Sequence, residues 1–354
     1  MEPKSLAELF DEIISCTAPE PARGIELGRS RENRAVTGYR FGRGHLKVSL
    51  IAGCHADEPV GPLLLSRLVG YLSGVRRRSA ILGEIQWWIV PHINPDGAAR
   101  NRLWCQDAVD HYDLETYLRH AVRELPGDDV EFGFPRSGAD RGARPENRAV
   151  YDWWKTDAAP FSVHVSLHGM AVGGGPWFLI DPAWADRCGV IKQRCRDVSH
   201  RLGYTLHDVQ RHGEKGFTRI ERGFCTRPDS RAMAKYFLER NDPDTAGRFR
   251  PSSMETIRSH GGDPLTLVSE IPLFAAPGIG DQIEPSDPAA ELWRDRISNW
   301  KKQIDHGGSA DKAAREIAAS TLIPVPVLDQ MRLQWAFVSA GIEQVVIPGH
   351  WHSA

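Results

Sequence analysis

The segment His45-Leu-Lys-Val-Ser-Leu-Ile-Ala-Gly-Cys-His-Ala-Asp-Glu58 joins an apolar run directly to two potential metal ligands. The apolar residues over 45–52 predict a buried strand, and the periodicity over 62–72 predicts the helix that follows it. Between these elements, His55 and Glu58 are three residues apart and can face one side of a turn or helix start. In open α/β sheets, ligands bind at the carboxyl ends of strands, so the segment predicts a site at that edge.

The same alternation of strands and helices continues along the chain. Apolar runs over 85–90, 161–167 and 265–270 have the length of buried strands. The periodicity over 6–15 and 190–202 is typical of helices. Buried strands that are separated by helices predict an α/β fold, with a central mixed, mostly parallel sheet flanked by helices.

Composition and charge favour a small or peptide-like substrate. The 354 residues include 44 Lys and Arg against 46 Asp and Glu, so the net charge is −2. A balance of this kind gives no overall electrostatic attraction to nucleic acid or to an anionic membrane. Residues 1–10 lack a basic start followed by an apolar core, which favours a cytoplasmic protein. The six cysteines form no CxxC pattern, and free thiols are expected.

Three residues have the chemistry of a catalytic zinc site. His55 and Glu58 follow one predicted strand, and His168 follows another. Two histidines and one carboxylate leave a coordination position open for water on a tetrahedral zinc ion. Zinc lowers the pKa of a bound water to about 7, which makes a nucleophile available at neutral pH. The sequence therefore predicts one Zn²⁺ per chain and a hydrolytic activity.

Several motifs in a fixed order carry a resemblance to a known family. They are Gly53-Cys-His-Ala-Asp-Glu-Pro-Val-Gly61, Asn94-Pro-Asp-Gly97, Asn101-Arg-Leu-Trp104, the strand that ends at His168, and the strand of Glu270. Together they resemble the zinc carboxypeptidase superfamily, which includes carboxypeptidase A and the succinylglutamate desuccinylase and aspartoacylase branch. The resemblance extends over 38–272. It implies a carboxypeptidase-like fold and the same three zinc ligands.

The resemblance also implies catalytic roles for two further residues. Arg102 would polarise the scissile carbonyl and stabilise the oxyanion, although Arg100 is near enough to compete for this role. Glu270 would accept a proton from water and return it to the leaving group. Asp129 would orient His55 through the second ring nitrogen, as carboxylates next to metal sites commonly do.

One part of the family pattern is absent. Relatives that bind a substrate carboxylate carry an Asn-Arg pair, and this chain has Glu131 and Phe132 at those positions. The next segment holds four arginines, Arg136, Arg141, Arg144 and Arg148. Any of them, with the first three as the named candidates, can supply the missing anion contact, or they belong to a solvated loop and helix start. Alternatively, Glu131 recognises a cationic group of the substrate. The sequence leaves these possibilities open.

The functional prediction is a zinc-dependent hydrolase that cleaves an amide bond in a small peptide or peptide-like substrate. The alternatives are a deacylase of N-acylated amino acids and a catalytically silent protein that only binds metal and ligand. The hydrolase domain is predicted over 1–280. A helical C-terminal extension is predicted over 281–354, with helices over 285–304, 310–321 and 328–338. This extension packs on the domain, closes the cleft or builds the interface of a homo-oligomer.

Overall fold

The structure is a computed structural model that describes residues 5–16, 23–75, 79–106, 108, 110–280, 287–306 and 310–346. The strands are Ile25–Arg29 (β1), Ala35–Phe41 (β2), Leu46–Ala52 (β3), Ile85–Val90 (β4), Val163–Gly173 (β5), Trp177–Ile180 (β6), Arg219–Glu221 (β7), Phe224–Thr226 (β8), Leu265–Ala275 (β9) and Ile323–Pro324 (β10). The helices are Phe10–Ser15 (α1), Val60–Gly74 (α2), Ala80–Gly83 (α3), Pro95–Cys105 (α4), Leu114–His120 (α5), Pro145–Trp154 (α6), Gly189–Arg201 (α7), Ser230–Leu238 (α8), Pro243–Arg248 (α9), Ser253–Ser259 (α10), Pro288–Asp305 (α11), Ala310–Ala318 (α12) and Val327–Val345 (α13).

Within the described residues, ten strands form one mixed sheet, with the order β1-β2-β4-β3-β5-β9-β6-β8-β7 and β10 beside β9. The four strands at its centre, β4, β3, β5 and β9, run parallel to one another. The outer pairs β1–β2, β2–β4, β6–β9 and β7–β8 are antiparallel. The predicted mixed α/β sheet is confirmed, and its parallel part is the centre that carries the candidate ligands.

Strand β3 shows why helices must cover both faces of this sheet. All seven of its residues are buried. Val48 and Leu50 belong to a core cluster that also contains residues of α2 and α13, whereas Ile51 belongs to a second cluster with residues of β4 and α6. Because side chains alternate between the faces of a strand, each face of β3 needs its own apolar cover.

Most of the predicted elements lie within a few residues of their observed positions. The strand over 85–90 coincides with β4, and the helix over 190–202 matches α7. The first two residues of the helix predicted over 285–304 lie outside the described residues. The antiparallel edge formed by β1 and β2 was not predicted.

The last helix of the chain is part of the main core. Trp335 and Phe337 of α13 are buried in the same cluster as the central strands. The indole Nε1 of Trp335 donates to the carbonyl of Leu6 at 2.9 Å, which joins the C-terminal helix to the N-terminal turn. The amide of Gln334 donates to the carbonyl of His168 at 3.1 Å. The predicted boundary at residue 280 therefore does not coincide with a break in the core.

His164, another residue with potential chemistry, has a structural role. His164 on β5 is fully buried, and its ring nitrogens lie 3.0 Å from Ser49 Oγ and 2.9 Å from Ser253 Oγ. Trp87 and Trp88 are buried in the core. The six cysteines are free thiols. Among the described helices, none is both long and apolar enough to cross a membrane.

The packing of α13 predicts a large effect for Phe337→Ala. This ring is fully buried and lies 4.8 Å, centroid to centroid, from Phe178 on β6. Its removal leaves a cavity, and we expect the free energy of unfolding to fall by about 3–5 kcal/mol in a denaturant titration. Leu328→Ala on the same helix is the control, because Leu328 is exposed and should change stability by less than about 0.5 kcal/mol. Equal effects of the two variants would contradict the placement of α13 in the core.

Candidate metal and catalytic site

The candidate zinc ligands converge from two neighbouring strands. His55 and Glu58 lie in the connection between β3 and α2, and His168 lies on β5. The last pairing of β3 with β5 joins Ala52 to Leu167, so all three ligands follow at the same carboxyl edge. Gly53 has a φ of 71°, and a side chain at this position would collide with the ring of His92. This glycine therefore allows the turn that brings His55 back toward His168.

The donor atoms of these residues form a compact triangle. His55 Nδ1 lies 2.7 Å from Glu58 Oε1, and His168 Nδ1 lies 3.0 Å from Glu58 Oε2. The two Nδ1 atoms are 3.1 Å apart. Two ligands of a tetrahedral zinc ion are about 3.3 Å apart, given metal–ligand bonds of about 2.0–2.1 Å. Buried Glu58 Oε2 contacts His168 Nδ1 but makes no hydrogen bond of good geometry, so the residues fit a zinc ion at this position.

The electrostatics of the site also favour a bound cation. Burial opposes ionisation of Glu58, but the charges of His55 and His168 outweigh it and hold the pKa of this carboxyl well below its usual range. Burial also opposes protonation of His168, yet the carboxylates of Glu131 and Glu58 raise its pKa well above the usual range. Buried carboxylates thus require positive charge nearby, which a divalent cation supplies.

The strand register places Glu270 beside the candidate ligands. His168 on β5 pairs with Glu270 on β9, and residues that pair across parallel strands project to the same face of the sheet. Burial and the charge of Glu58 raise the pKa of Glu270 to about 7. A carboxyl group with a pKa near neutrality can both accept and donate a proton, as acid–base catalysis requires.

Arg123 is a site residue that sequence reasoning missed. Its Nη1 lies 3.2 Å from Glu58 Oε1 and 3.1 Å from Asp57 Oδ1, and its charge also acts on Glu270. Asp57 is buried and accepts a second hydrogen bond, of 2.9 Å, from the hydroxyl of Tyr117 on α5. The side chain of Arg123 is 45% exposed, so part of the guanidinium can still contact a ligand. No motif surrounds this residue, which follows α5 in a connecting segment.

The structure does not bring Arg102 to the triangle. Arg102 is an exposed residue of α4, and its Nε donates to Gln106 on the same side of that helix. Arg100, the competing residue, is paired with Glu32. Nothing among the described contacts joins either arginine to His55, Glu58 or His168.

Asp129 and Glu131, which lie where the chain departs from the family pattern, have different surroundings. Asp129 is buried and accepts a hydrogen bond of 2.9 Å from the backbone N–H of Phe132. Burial raises its pKa against the attraction of His55, but the described contacts include no hydrogen bond between these two side chains. Glu131 is also buried, and its Oε2 lies 2.9 Å from His168 Nε2. Glu131 therefore lies against a candidate ligand.

The three arginines proposed for substrate binding also lie outside the triangle. Arg136 donates to the carbonyl of Phe249 at 2.8 Å, and Arg144 is a buried residue paired with Glu146 at 3.2 Å. Arg141 is exposed. In the described contacts, none of them meets His55, Glu58 or His168. Arg144 instead precedes α6, where Pro145 occupies the first turn, as the loop alternative predicted.

Comparison with known proteins relates one part of the chain to a family. The zinc carboxypeptidase family matches residues 12–173, a segment that contains His55, Glu58, Glu131 and His168. This segment is similar to the zinc carboxypeptidase family. Glu270 lies beyond the matched segment, and its place at the site comes from the register of β9 with β5.

Curated relatives of the family match shorter stretches. Zinc carboxypeptidase A 1 of Anopheles gambiae is 32% identical over 94 residues, which cover 24% of this chain and 22% of the relative. Carboxypeptidase B of Astacus astacus is 29% identical over 109 residues, which cover 27% of this chain and 36% of the relative. The matched stretch thus spans about a third or less of these relatives.

Solved structures resemble the chain at low identity. A putative metallopeptidase from Shewanella amazonensis has 12% identity, covers 94% of this chain and 91% of its own, and gives a TM-score of 0.47. A metallo-carboxypeptidase from Pseudomonas aeruginosa has 19% identity, covers 86% of this chain and 70% of its own, and gives a TM-score of 0.41. Similarity at this level identifies neither a substrate nor an activity.

Proposed function

We propose that this protein is a zinc-dependent hydrolase that cleaves an amide bond in a small peptide or peptide-like substrate. The observation that carries the proposal is the triangle of His55 Nδ1, Glu58 and His168 Nδ1, whose contacts of 2.7–3.1 Å fit three ligands of one zinc ion. Glu270 beside this triangle supplies a proton-transfer group. A protein that only binds metal needs no such carboxyl at the site.

Each residue of the site has a chemical role in the proposal. When bound, zinc polarises a substrate carbonyl and activates water for attack. Glu270 takes up the proton that the water loses and delivers it to the leaving amine. His55, Glu58 and His168 hold the ion, and the buried surroundings of Glu58 strengthen its interaction with positive charge.

Arg123 lies where amide hydrolysis at this site requires a fixed positive charge. Its guanidinium lies 3.2 Å from Glu58 Oε1 and is half-exposed, so it can meet the carboxylate of a substrate or the negative charge that develops on its carbonyl oxygen. Arg102 and the arginines Arg136, Arg141 and Arg144 do not share this position.

The direct test is hydrolysis by the purified protein, with Glu270→Gln as the variant. We expect the wild type to hydrolyse members of a panel of short peptides and N-acyl amino acids. Glu270→Gln should lose at least about 100-fold in kcat/KM and retain zinc, because the amide cannot take up a proton. Glu239→Gln is the control and should retain activity, because Glu239 is an exposed residue directly after α8.

The outcome of this test also separates the alternatives. Cleavage of acyl-amino acids without cleavage of peptides would favour the deacylase alternative. Zinc binding without turnover of any member of the panel would instead favour the silent metal-binding protein.

A second test compares the two arginines. On any substrate of the panel, Arg123→Ala should lower kcat/KM by about 100-fold, because a positive charge at the reacting carbonyl is lost. Arg102→Ala should leave kcat/KM unchanged, because Arg102 is exposed on α4. The reverse result would restore the role predicted for Arg102 from the sequence.

A further inference from the structure

His168 faces a second group of potential metal ligands on the side of its ring opposite to the triangle. The ligand atoms of Cys54, Glu131 and His168 all lie within 4.8 Å of one another, and all three residues are buried. His168 Nε2 points into this group, because it lies 2.9 Å from Glu131 Oε2 and 2.8 Å from Ser166 Oγ. Neither His55 nor Glu58 belongs to the group.

Glu131 brings a buried carboxylate to this group. Its side chain is only 7% exposed, and Oε2 contacts His168 Nε2 but makes no hydrogen bond of good geometry. A buried carboxylate without a full set of hydrogen bonds is costly unless it is paired with a cation. Cys54 Sγ also has only a weak polar contact, because it lies 3.6 Å from Ser166 Oγ. A metal ion between Glu131 and Cys54 would satisfy both side chains.

We propose that Cys54, Glu131 and His168 Nε2 form a second metal-binding position, selective for divalent cations softer than zinc, such as cadmium. A thiolate, an imidazole nitrogen and a carboxylate together can bind such a cation. The sulfur ligand favours soft cations over magnesium or calcium, which bind oxygen. Binding releases the thiol proton of Cys54 to solvent, because the thiolate is the ligand.

The two positions exclude each other through His168. A neutral imidazole has one nitrogen that carries a proton and one that can bind a metal. An ion held by Nδ1 with His55 and Glu58 therefore leaves Nε2 protonated toward Glu131. An ion held by Nε2 with Cys54 and Glu131 leaves Nδ1 protonated toward Glu58. The chain binds one ion at a time: zinc is held by the triangle, and a softer cation such as cadmium is held by the position that contains Cys54.

The test is titration of the metal-free protein with cadmium, because a cadmium–thiolate bond absorbs in the ultraviolet. We expect the band to saturate at one cadmium per chain in the wild type and to be absent in Cys54→Ser. Cys195→Ser is the matched control, because Cys195 is equally buried but does not belong to this group of ligands. Absence of the band in the wild type, or its persistence in Cys54→Ser, would overturn the proposal.

A second variant separates this position from the triangle. His55→Ala removes a ligand of the triangle alone, so the cadmium–thiolate band should persist in this variant. Glu131→Gln removes a ligand of the second position and should weaken cadmium binding at least tenfold. Loss of the band in His55→Ala would place the cadmium with the triangle and overturn the proposal. Two cadmium ions per wild-type chain would overturn the exclusion. The hydrolase proposal is tested separately, by the turnover of the wild type and of Glu270→Gln, which these spectra do not measure.

Discussion

His168 lies between two buried carboxylates, with Glu58 3.0 Å from one ring nitrogen and Glu131 2.9 Å from the other. The rest of the site is arranged around these contacts. Each carboxylate needs positive charge because it is removed from water, and a single imidazole cannot satisfy both unless it is protonated or a metal ion takes part. This constraint explains why His55 and Arg123 also converge on Glu58.

The parallel centre of the sheet makes this convergence possible. Strands β3, β5 and β9 are neighbours with parallel pairing, so their carboxyl ends meet at one edge. The pairing of His168 with Glu270 then places a proton-transfer group beside the ligands. The amide of Gln334 on α13 donates to the carbonyl of His168, so the last helix also contacts this strand. The site therefore depends on elements from almost the whole length of the chain.

The sequence predicts the parts of this arrangement that depend on local patterns. His55 and Glu58 follow a buried strand directly, and the strand of His168 has the same character, so their meeting at one edge could be predicted. Arg123 could not be predicted, because it reaches Asp57 and Glu58 from a segment without a motif. For Arg102 the motif favoured a catalytic role, but its position on the exposed side of α4 is a tertiary property. The contact of Glu131 with His168, and the burial of α13 in the main core, also depend on packing between distant segments.

Zinc content tests the central claim most directly, because that claim is that the triangle of donor atoms binds one zinc ion. Elemental analysis of protein purified without added metal should find one zinc per wild-type chain and none in His55→Ala or in His168→Ala. His164→Gln on the same strand should retain the zinc, because His164 is held by two serine hydroxyls away from the triangle. Zinc retained in His168→Ala, or absent from the wild type after reconstitution, would contradict the assignment of these residues as ligands.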